Sequence, residues 1–427
     1  MSTSHTCPMA GVVSGWCRRG SRRIAAAFAV VTVIGGGVGG PALTEVQAQT
    51  GVQLNLDEPL VVRSELHTFR VVTVAEGLDQ PWSIAFLPEG DVLVTEKPGR
   101  LRVIRNGTLL PDPIPGTPEV RAEGQGGLLE VLPHPDFANN RLLYFTYSKP
   151  SPDGQRSTTA VARARFDGTQ LSELEDIFVA EAWSEGGAHY GSRLAFHPDG
   201  HLFVTVGDRA ANPLGGPREE HPAQRLDTHQ GKVLRLQDDG SVPRDNPFVN
   251  QEGALPEIWS YGHRNLQGLV IDQQGRVWTT EHGAQGGDEL NLVQPGRNYG
   301  WPVITYGVQY GGIRIHEARE REGMEQPIQF WTPSIAPSGL MQYTGDRFPE
   351  WRGDFFVGGL DGRQIARLEL TESESGIQVE RLERPALLWG IGRVRDIRQA
   401  PDGTIYVALD GRRDNSLTRV VRLEPVE

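Results

Sequence analysis

A two-strand pattern recurs along this chain and limits the folds that it can adopt. Each copy is an apolar strand, a turn and a second apolar strand, as in IAFLPEGDVLVTE, LAFHPDGHLFVTVGD and DIRQAPDGTIYVALD. The turns contain glycine or asparagine near positions 90, 139, 200, 275, 353 and 403. Their Asp-Gly and Glu-Gly pairs predict two-residue hairpins, in which glycine supplies the positive φ.

The spacing of the copies predicts a closed fold made only of strands. Roughly 63 residues separate successive copies, which is enough for one four-stranded sheet each. We therefore predict an all-β protein, a six-bladed β-propeller of four-stranded antiparallel blades. No segment has the sustained 3.6-residue apolar period that the helices of a TIM barrel or a doubly wound sheet need. Residues 69–78 and the C-terminal SLTRVVRLEPV are predicted to pair in the closing blade.

The N-terminus has the features of a secretory signal peptide. Four arginines precede an apolar run at residues 24–38, and Val46 and Ala48 occupy the small-residue positions of a cleavage site. The run is too short to span a bilayer comfortably, which disfavours a retained anchor. We predict a signal peptide at 1–48, a loosely attached N-terminal arm at 49–66 and the propeller catalytic domain at 67–427. The mature protein is expected to be periplasmic or secreted, with no membrane span after processing.

Cysteine content and charge narrow the chemistry. Both cysteines, Cys7 and Cys17, lie in the predicted signal peptide, so the mature chain can use neither disulfides nor thiolate metal ligands. The net charge is −12, and removing a segment with four arginines and one glutamate makes it −15. This charge argues against nucleic acid and anionic membrane surfaces as partners. Clustered arginines in such a protein need a local reason.

Cationic side chains recur at one position of the repeat. His189, residues 264–265 (Arg-Asn), and Arg393 with Arg395 each stand just before the first strand of a copy. Repeat geometry should bring them to one end of the central channel, where propellers bind ligands. Guanidinium groups grip carboxylates and phosphates bidentately, so an anionic ligand is expected. The alternative is that each arginine makes a local salt bridge, with Asp396 or with a neighbouring blade.

His189 is the candidate general base, because an imidazole titrates near neutral pH. Asp208 ends the strand antiparallel to the one that His189 precedes, so it could orient the imidazole. The alternative is that His189 is a structural turn residue. No G-x-S-x-G, H-E-x-x-H or phosphate-binding glycine loop occurs, so serine hydrolases, zinc proteases and nicotinamide dehydrogenases lack their signatures.

A glycine-rich loop, EHGAQGGDELN, follows another strand. Its carbonyls can face a cation, and Asp288 and Glu289 offer hard oxygen ligands. Oxygen ligands on a flexible loop favour calcium over zinc, although the EF-hand pattern is absent. The alternative is a solvated acidic turn.

The same motifs carry a resemblance. GQGGLLEVLPHPDFANN, AHYGSRLAFHPDG, YGHRNLQGL, EHGAQGGDELNLVQPGRNYGWP and GRVRDIRQAPDG, in that order, resemble the soluble quinoprotein glucose/sorbosone dehydrogenase family. The periplasmic aldose sugar dehydrogenase branch is the more similar one. The resemblance runs from about residue 78 to the C-terminus.

The resemblance implies a six-bladed propeller that binds pyrroloquinoline quinone (PQQ) and Ca²⁺ and oxidises aldoses at C1 to lactones. His189 would take the C1 hydroxyl proton while hydride passes to the quinone, and Asp208 would orient His189. Electrons would leave to a periplasmic acceptor. PQQ-binding residues would be Gln125, Arg264, Asn265, Tyr310, Arg393 and Arg395. Calcium ligands would be the carbonyls of Gly283 and Ala284 and, at a second site, Glu289 and the carbonyl of Tyr299.

Three positions depart from the family pattern. Ala284 stands in place of a proline, His282 in place of the glutamine of the glucose dehydrogenase branch, and Asp361 in place of a cofactor-binding lysine of that branch. Asp361 would repel PQQ unless it is protonated, paired with Arg363 or turned away. Two other functions stay open: a non-catalytic ligand-binding propeller, which Asp361 favours, and a calcium-dependent sugar lactonase, which leaves the arginines unexplained.

Overall fold

The computed structural model describes residue 56, residues 58–411 and residues 418–426. The predicted signal peptide, its cleavage site and both cysteines lie outside these residues. In the described part of the chain, no helix combines the length and the hydropathy that a membrane crossing requires.

The described residues form strands that group into six antiparallel sheets, as predicted. The first two strands are β1 (Leu60–Arg63) and β2 (Thr68–Glu76). Blade one has β3 (Pro81–Phe86), β4 (Val92–Glu96), β5 (Arg100–Arg105) and β6 (Thr108–Leu109). Blade two has β7 (Leu128–Pro133), the helical turn α1 (Phe137–Asn140), β8 (Leu142–Pro150), β9 (Ser157–Phe166) and β10 (Leu171–Val179).

Blade three has β11 (Leu194–Phe196), β12 (Leu202–Val206), two short 3-10 turns (Arg218–Glu220 and Pro222–Gln224), β13 (Lys232–Leu236) and β14 (Ile258–Tyr261). Blade four has β15 (Leu266–Ile271), β16 (Val277–Glu281), β17 (Asp288–Val293) and β18 (Gln329–Trp331). Blade five has β19 (Pro337–Gln342), a 3-10 turn (Pro349–Trp351), β20 (Phe355–Gly359), β21 (Gln364–Ser373) and β22 (Gly376–Leu382). Blade six has β23 (Val394–Gln399), β24 (Ile405–Leu409) and β25 (Arg419–Pro425).

The first strands of the blades form a closed ring. Each of β3, β7, β11, β15, β19 and β23 packs against the next, and β23 packs against β3. The repeated pattern of the sequence is therefore the first two strands of each blade. Apolar residues between neighbouring blades form the core, such as Tyr144 and Val161 of blade two against Leu202 and Leu234 of blade three.

The two ends of the propeller close one sheet. Strand β2 pairs with β25, with Val71 opposite Leu423, which confirms the predicted pairing of the closing blade. Strand β1 lies within the segment predicted as an arm, and it adds an edge strand to this blade, where Leu60, Val61 and Val62 are buried. The sequence analysis did not predict this strand.

The hairpin turns differ from the prediction in length. Leu87 N–H bonds Asp91 O at 2.9 Å, and Gly90 N–H bonds Leu87 O at 2.9 Å. Three residues, not two, therefore lie in the turn between Leu87 and Asp91, and the third is Gly90 with φ of 96°. The extra residue is absorbed as a bulge after a β-turn, which is why glycine is needed third. The turn predicted at Asn139 is α1.

Four charged side chains fill the channel inside the ring, and we call them the channel plug: Glu130, Arg193, Asp396 and Arg398. Arg193 Nη1 lies 3.0 Å from Glu130 Oε2 and 2.9 Å from Asp396 Oδ1. Arg398 bonds the other oxygens of the same two carboxylates, at 2.7 and 3.0 Å. The plug also takes hydrogen bonds from blade one and gives one to blade four, so it links five blades.

Candidate active site

A cavity of about 400 Å³ opens at one end of the ring, and we call it the main cavity. It lies where the first strands begin and the second strands end, so all six blades contribute to it. Most of the residues predicted for a ligand site line it: Gln125, Asn265, Gly283, Ala284, Tyr310, Arg393 and Arg395. Of the residues that repeat position alone brought together, Asn265, Arg393 and Arg395 line this cavity.

His189 stands beside this cavity on the loop before β11. Its backbone is left-handed, with φ of 50°, which is uncommon outside glycine. Its N–H donates to Gln125 Oε1 at 2.8 Å, and its side chain is 12% exposed. The loop packs closely on Gly207, where a Cβ would lie 2.3 Å from His189 O. Tyr190 and Gly191, the next two residues, line the main cavity.

Asp208 contacts the imidazole of His189 at Nδ1. Its Oδ1 lies 2.6 Å from His189 Nδ1, and its Oδ2 accepts from Trp301 Nε1 at 2.8 Å. Burial alone would raise the pKa of Asp208, but the hydrogen bond from His189 and the positive charge of Arg264 bring the pKa below its usual value. Asp208 is therefore ionised, and His189 Nδ1–H donates to it.

Burial lowers the pKa of His189 below its ordinary value, although the charge of Asp208 opposes this shift. The imidazole is therefore neutral at neutral pH. With Nδ1–H committed to Asp208, Nε2 carries the lone pair. A neutral imidazole with one fixed tautomer can accept a proton at Nε2.

Arg393 and Arg395 enter the cavity from the start of β23. Arg395 Nη1 donates to Gln267 Oε1 at 3.1 Å, and its Nη2 lies 4.0 Å from Asp410 Oδ2. Asp396, considered as a local partner for these arginines, is instead directed into the channel plug. Both guanidinium groups therefore line the cavity wall.

The side-chain amide of Asn265 is fixed through its oxygen. Its Oδ1 accepts from Gly191 N at 3.2 Å, which leaves the amide nitrogen as the atom that can donate into the cavity.

Arg264 lies elsewhere than the repeat position alone suggested. It lines a smaller neighbouring cavity with Glu289 and Tyr299, not the main one. Its Nη1 donates to the carbonyls of His282 and Gly283, and its guanidinium lies 5.2 Å from the Trp301 ring. Arg264 thus holds the glycine-rich loop that separates the two cavities.

Asp288 is not a free oxygen ligand. Its Oδ1 accepts from Gly283 N at 2.9 Å. Its Oδ2 accepts from Ser334 Oγ, Ile335 N and Ala336 N, between 2.7 and 3.0 Å. It is fully buried, so the alternative of a solvated acidic turn is also wrong. Asp288 instead ties the glycine-rich loop to the start of blade five.

The smaller cavity brings carboxylates together. Glu289 of β17 lies directly across the strands from Glu281 of β16. Burial, and then the charge of Glu281, raise the pKa of Glu289 to about 8. The Tyr299 hydroxyl donates to Leu292 O at 2.6 Å, so its side chain is already committed. Among the described residues, no group of three or more His, Cys, Asp or Glu could hold a metal, so a cation here would need backbone carbonyls.

Tyr310 and Asp361 are two further residues that line the main cavity. Tyr310 is 66% exposed and still lines the main cavity. Asp361 also lines the cavity, with its N–H bonded to Ile335 O at 3.1 Å.

Sequence reasoning missed Asp410, Trp301 and Lys97. Asp410 follows the second strand of its copy, as Asp208 does, so the repeat position could have identified it. Trp301 had no such signal, because its bond to Asp208 spans 93 positions. Lys97 follows β4 and lines the cavity.

The chain is similar to known proteins over most of its length. The family model for glucose/sorbosone dehydrogenases matches residues 78–419. Aldose sugar dehydrogenase YliI of Escherichia coli is 40% identical over 350 residues, which cover 80% of this chain and 90% of that protein.

Solved structures are similar over nearly their whole length. The apo-form of the soluble aldose sugar dehydrogenase from Escherichia coli has a TM-score of 0.76 at 36% identity, covering 84% of this chain and 100% of that one. The PQQ-bound aldose sugar dehydrogenase from Streptomyces coelicolor has a TM-score of 0.65 at 28% identity, covering 86% and 98%. By its family match and its similarity to YliI, the chain belongs to the glucose/sorbosone dehydrogenase family.

Proposed function

We propose that this protein is a PQQ- and calcium-dependent dehydrogenase that oxidises aldose sugars at C1 to lactones. The observation that carries the proposal is the position of the His189–Asp208 pair beside a cavity lined by Arg393 and Arg395. A base and a cationic wall at one end of the channel suit a reaction that removes a proton next to an anionic cofactor.

The side chains of the main cavity suit the cofactor in their chemistry. PQQ carries three carboxylates, and guanidinium groups bind carboxylates bidentately. Arg393, Arg395 and the amide of Asn265 would hold them, with Gln125 and Tyr310 as further contacts. The PQQ-bound Streptomyces relative supports this choice of ligand.

Calcium would be held by the glycine-rich loop. Gly283 and Ala284, whose carbonyls would bind this calcium, line the main cavity. Gly283 O already accepts from Arg264, but a carbonyl oxygen has two lone pairs, so it could serve both.

The smaller cavity would take a second calcium at Glu289 and the carbonyl of Tyr299. A cation there would relieve the repulsion between Glu289 and the carboxylate of Glu281.

When bound, PQQ would accept hydride from the sugar, with calcium acting as a Lewis acid. His189 Nε2 would take the proton of the C1 hydroxyl as hydride leaves C1. Asp208 would hold the imidazole and stabilise the imidazolium that forms. The ring form of an aldose is a hemiacetal at C1, so loss of a hydride from C1 and of the hydroxyl proton gives a lactone. Such general-base assistance contributes roughly 10²–10⁴-fold to rate.

Export and electron transfer complete the proposal. Residues 1–48 would direct the chain to the periplasm or outside the cell, and the electrons would pass to a periplasmic acceptor.

A non-catalytic ligand-binding propeller is the second candidate. Asp361 favours it, because a carboxylate on the cavity wall opposes a tricarboxylate cofactor.

Reconstitution separates the two candidates. Metal-free protein is loaded with PQQ and Ca²⁺ and given a panel of aldoses and a redox dye. We expect sugar-dependent dye reduction with a lactone as the first product, identified by NMR. Tight PQQ binding without any sugar oxidation across the panel would favour the binding propeller.

A further inference from the structure

The side chain of Arg209 packs against the loop that carries His189. Arg209 has no part in the function proposed above. Its Nη2 donates to Gly186 O at 2.8 Å, and its Nη1 donates to Ala188 O. Its guanidinium carbon lies 3.5 Å from the centre of the Tyr190 ring. The guanidinium therefore contacts the residues on both sides of His189.

The backbone of Arg209 contacts the same loop. Its N–H bonds His189 O at 3.3 Å, and the turn that follows Asp208 is left-handed, with φ of 57° at both Arg209 and Ala210. Two left-handed residues in succession cost free energy unless the surroundings hold them. The turn thus places the carboxylate of Asp208 against the imidazole and the guanidinium of Arg209 against the loop that carries it.

This arginine is also costly to bury. It is 3% exposed, and its Nε has no hydrogen-bond partner among the described residues. Carbonyl oxygens and a ring face, rather than a paired carboxylate, compensate the guanidinium. An arginine buried in this way calls for a local function, because a smaller apolar side chain would avoid the desolvation cost.

We propose that Arg209 is a positioning residue for His189. The guanidinium nitrogens of Arg209 donate hydrogen bonds to the carbonyls of Gly186 and Ala188, and the plane of the group packs on the Tyr190 ring. The His189 backbone between them is thereby kept in its left-handed conformation, with Nδ1 against Asp208. The proposal deepens the proposed function, since it concerns the same base.

The charge of Arg209 has a second consequence. The charged or titratable groups that face His189 are Asp208, Arg264, Arg209 and, across the cavity, His282. Arg209 and Arg264 both act to lower the pKa of His189, against Asp208. Removing the cation of Arg209 should therefore raise the pKa of His189 and make the base protonated at higher pH.

Two variants separate the hydrogen bonds of Arg209 from its charge. Arg209→Gln removes both the charge and the paired guanidinium donors, whereas Arg209→Lys keeps the charge and loses the paired donors. Arg235→Gln is the matched control, because Arg235 is also buried and lies 4.5 Å from the Trp259 ring, far from the main cavity. All three are expected to lower Tm.

The metal-free, cofactor-free protein gives a readout that does not need activity. In ¹³C-histidine-labelled protein, the His189 signal is identified by its loss in His189→Ala. We expect its titration midpoint to rise by about 0.5–1 pH unit in Arg209→Gln and to stay unchanged in Arg209→Lys and Arg235→Gln. The hydrogen-bonded Nδ1 proton should weaken in both Arg209 variants and persist in Arg235→Gln.

The loaded enzyme supplies the second readout. We expect kcat to fall about 10–100-fold in both Arg209 variants, with PQQ affinity within about twofold of the parent, because the base is misplaced and the cofactor wall is not. An unchanged midpoint in Arg209→Gln overturns the electrostatic role. An unchanged Nδ1 proton in both variants overturns the positioning role. If the parent oxidises no aldose, the proposed function fails, and the NMR results still decide the role of Arg209.

Discussion

Strand β23 supplies arginines to two regions that use them differently. In the channel plug, Arg398 meets the carboxylates of Glu130 and Asp396, which Arg193 also contacts, so two positive and two negative charges balance inside the protein. A few residues earlier, Arg395 lines an open cavity, where it donates to Gln267 Oε1 at 3.1 Å and lies 4.0 Å from Asp410 Oδ2. The paired charges of the plug link blades, whereas the arginines that face the cavity are the ones that we propose for the ligand.

The largest effect should come from the base beside the open region. His189→Ala is expected to lower kcat by about 10²–10⁴-fold, because proton removal from C1 loses its acceptor. PQQ affinity should stay within about threefold. Steady-state dye reduction and fluorescence titration of PQQ measure the two quantities. His201→Ala, which removes another histidine paired with an aspartate, is the control and should leave kcat unchanged. Equal losses in both variants would contradict the role of His189.

Removing a carboxylate from the channel plug should lower the free energy of unfolding and leave PQQ binding unchanged. Glu130→Gln leaves Arg193 and Arg398 without one of their buried carboxylates, and such a loss costs about 3–5 kcal/mol. Urea denaturation measures the free energy of unfolding. Glu175→Gln removes the exposed partner of Arg163 and should change it by less than about 1 kcal/mol. A plug variant as stable as the parent would show that this network does not join the blades.

Substituting an arginine of the main cavity should weaken PQQ binding and leave stability nearly unchanged. Arg393→Gln is expected to weaken PQQ binding about 10–100-fold, since a hydrogen bond to a charged group contributes about 1.5–3 kcal/mol. Tm in the absence of cofactor should change little. Arg347→Gln, at an exposed pair with Asp402, should leave PQQ affinity unchanged. If Arg393→Gln mainly lowered stability, Arg393 would belong with the plug.

The pH dependence of activity follows from the base. The pKa of His189 is lowered, so the imidazole stays unprotonated as pH falls until below about 6.5, the ordinary value for histidine. Activity should therefore be retained at pH 6.5 and fall only at lower pH. The profile of kcat/KM against pH measures this limb, and a limb centred above pH 7 would contradict the assignment.

The smallest effect should come from Asp361, which is exposed. Asp361→Asn removes a negative charge from the cavity wall and should tighten PQQ binding about two- to fivefold, because exposed charge pairs contribute about 0.2–1 kcal/mol. Asp402→Asn, on a distant hairpin, is the control. Weaker binding in Asp361→Asn would mean that the carboxylate assists the cofactor.

Periodic features could be predicted from the sequence, and contacts between distant loops could not. The repeated pattern indicated the six blades and the end at which His189, Asn265 and Arg393 converge. It did not indicate that Arg264 would turn to the glycine-rich loop, because the Gly283 carbonyl that it meets is set by tertiary packing. Asp288 was misread for the same reason, since its partners lie more than 45 residues away in blade five.

The central claim is that the open end of the channel binds an anionic cofactor. Calorimetric titration of calcium-loaded protein with PQQ tests it most directly. We expect one PQQ per chain, with binding that weakens in Arg393→Gln and persists in His189→Ala. Absence of PQQ binding by the folded, calcium-loaded protein would contradict the account, and so would binding that Arg393→Gln leaves unchanged.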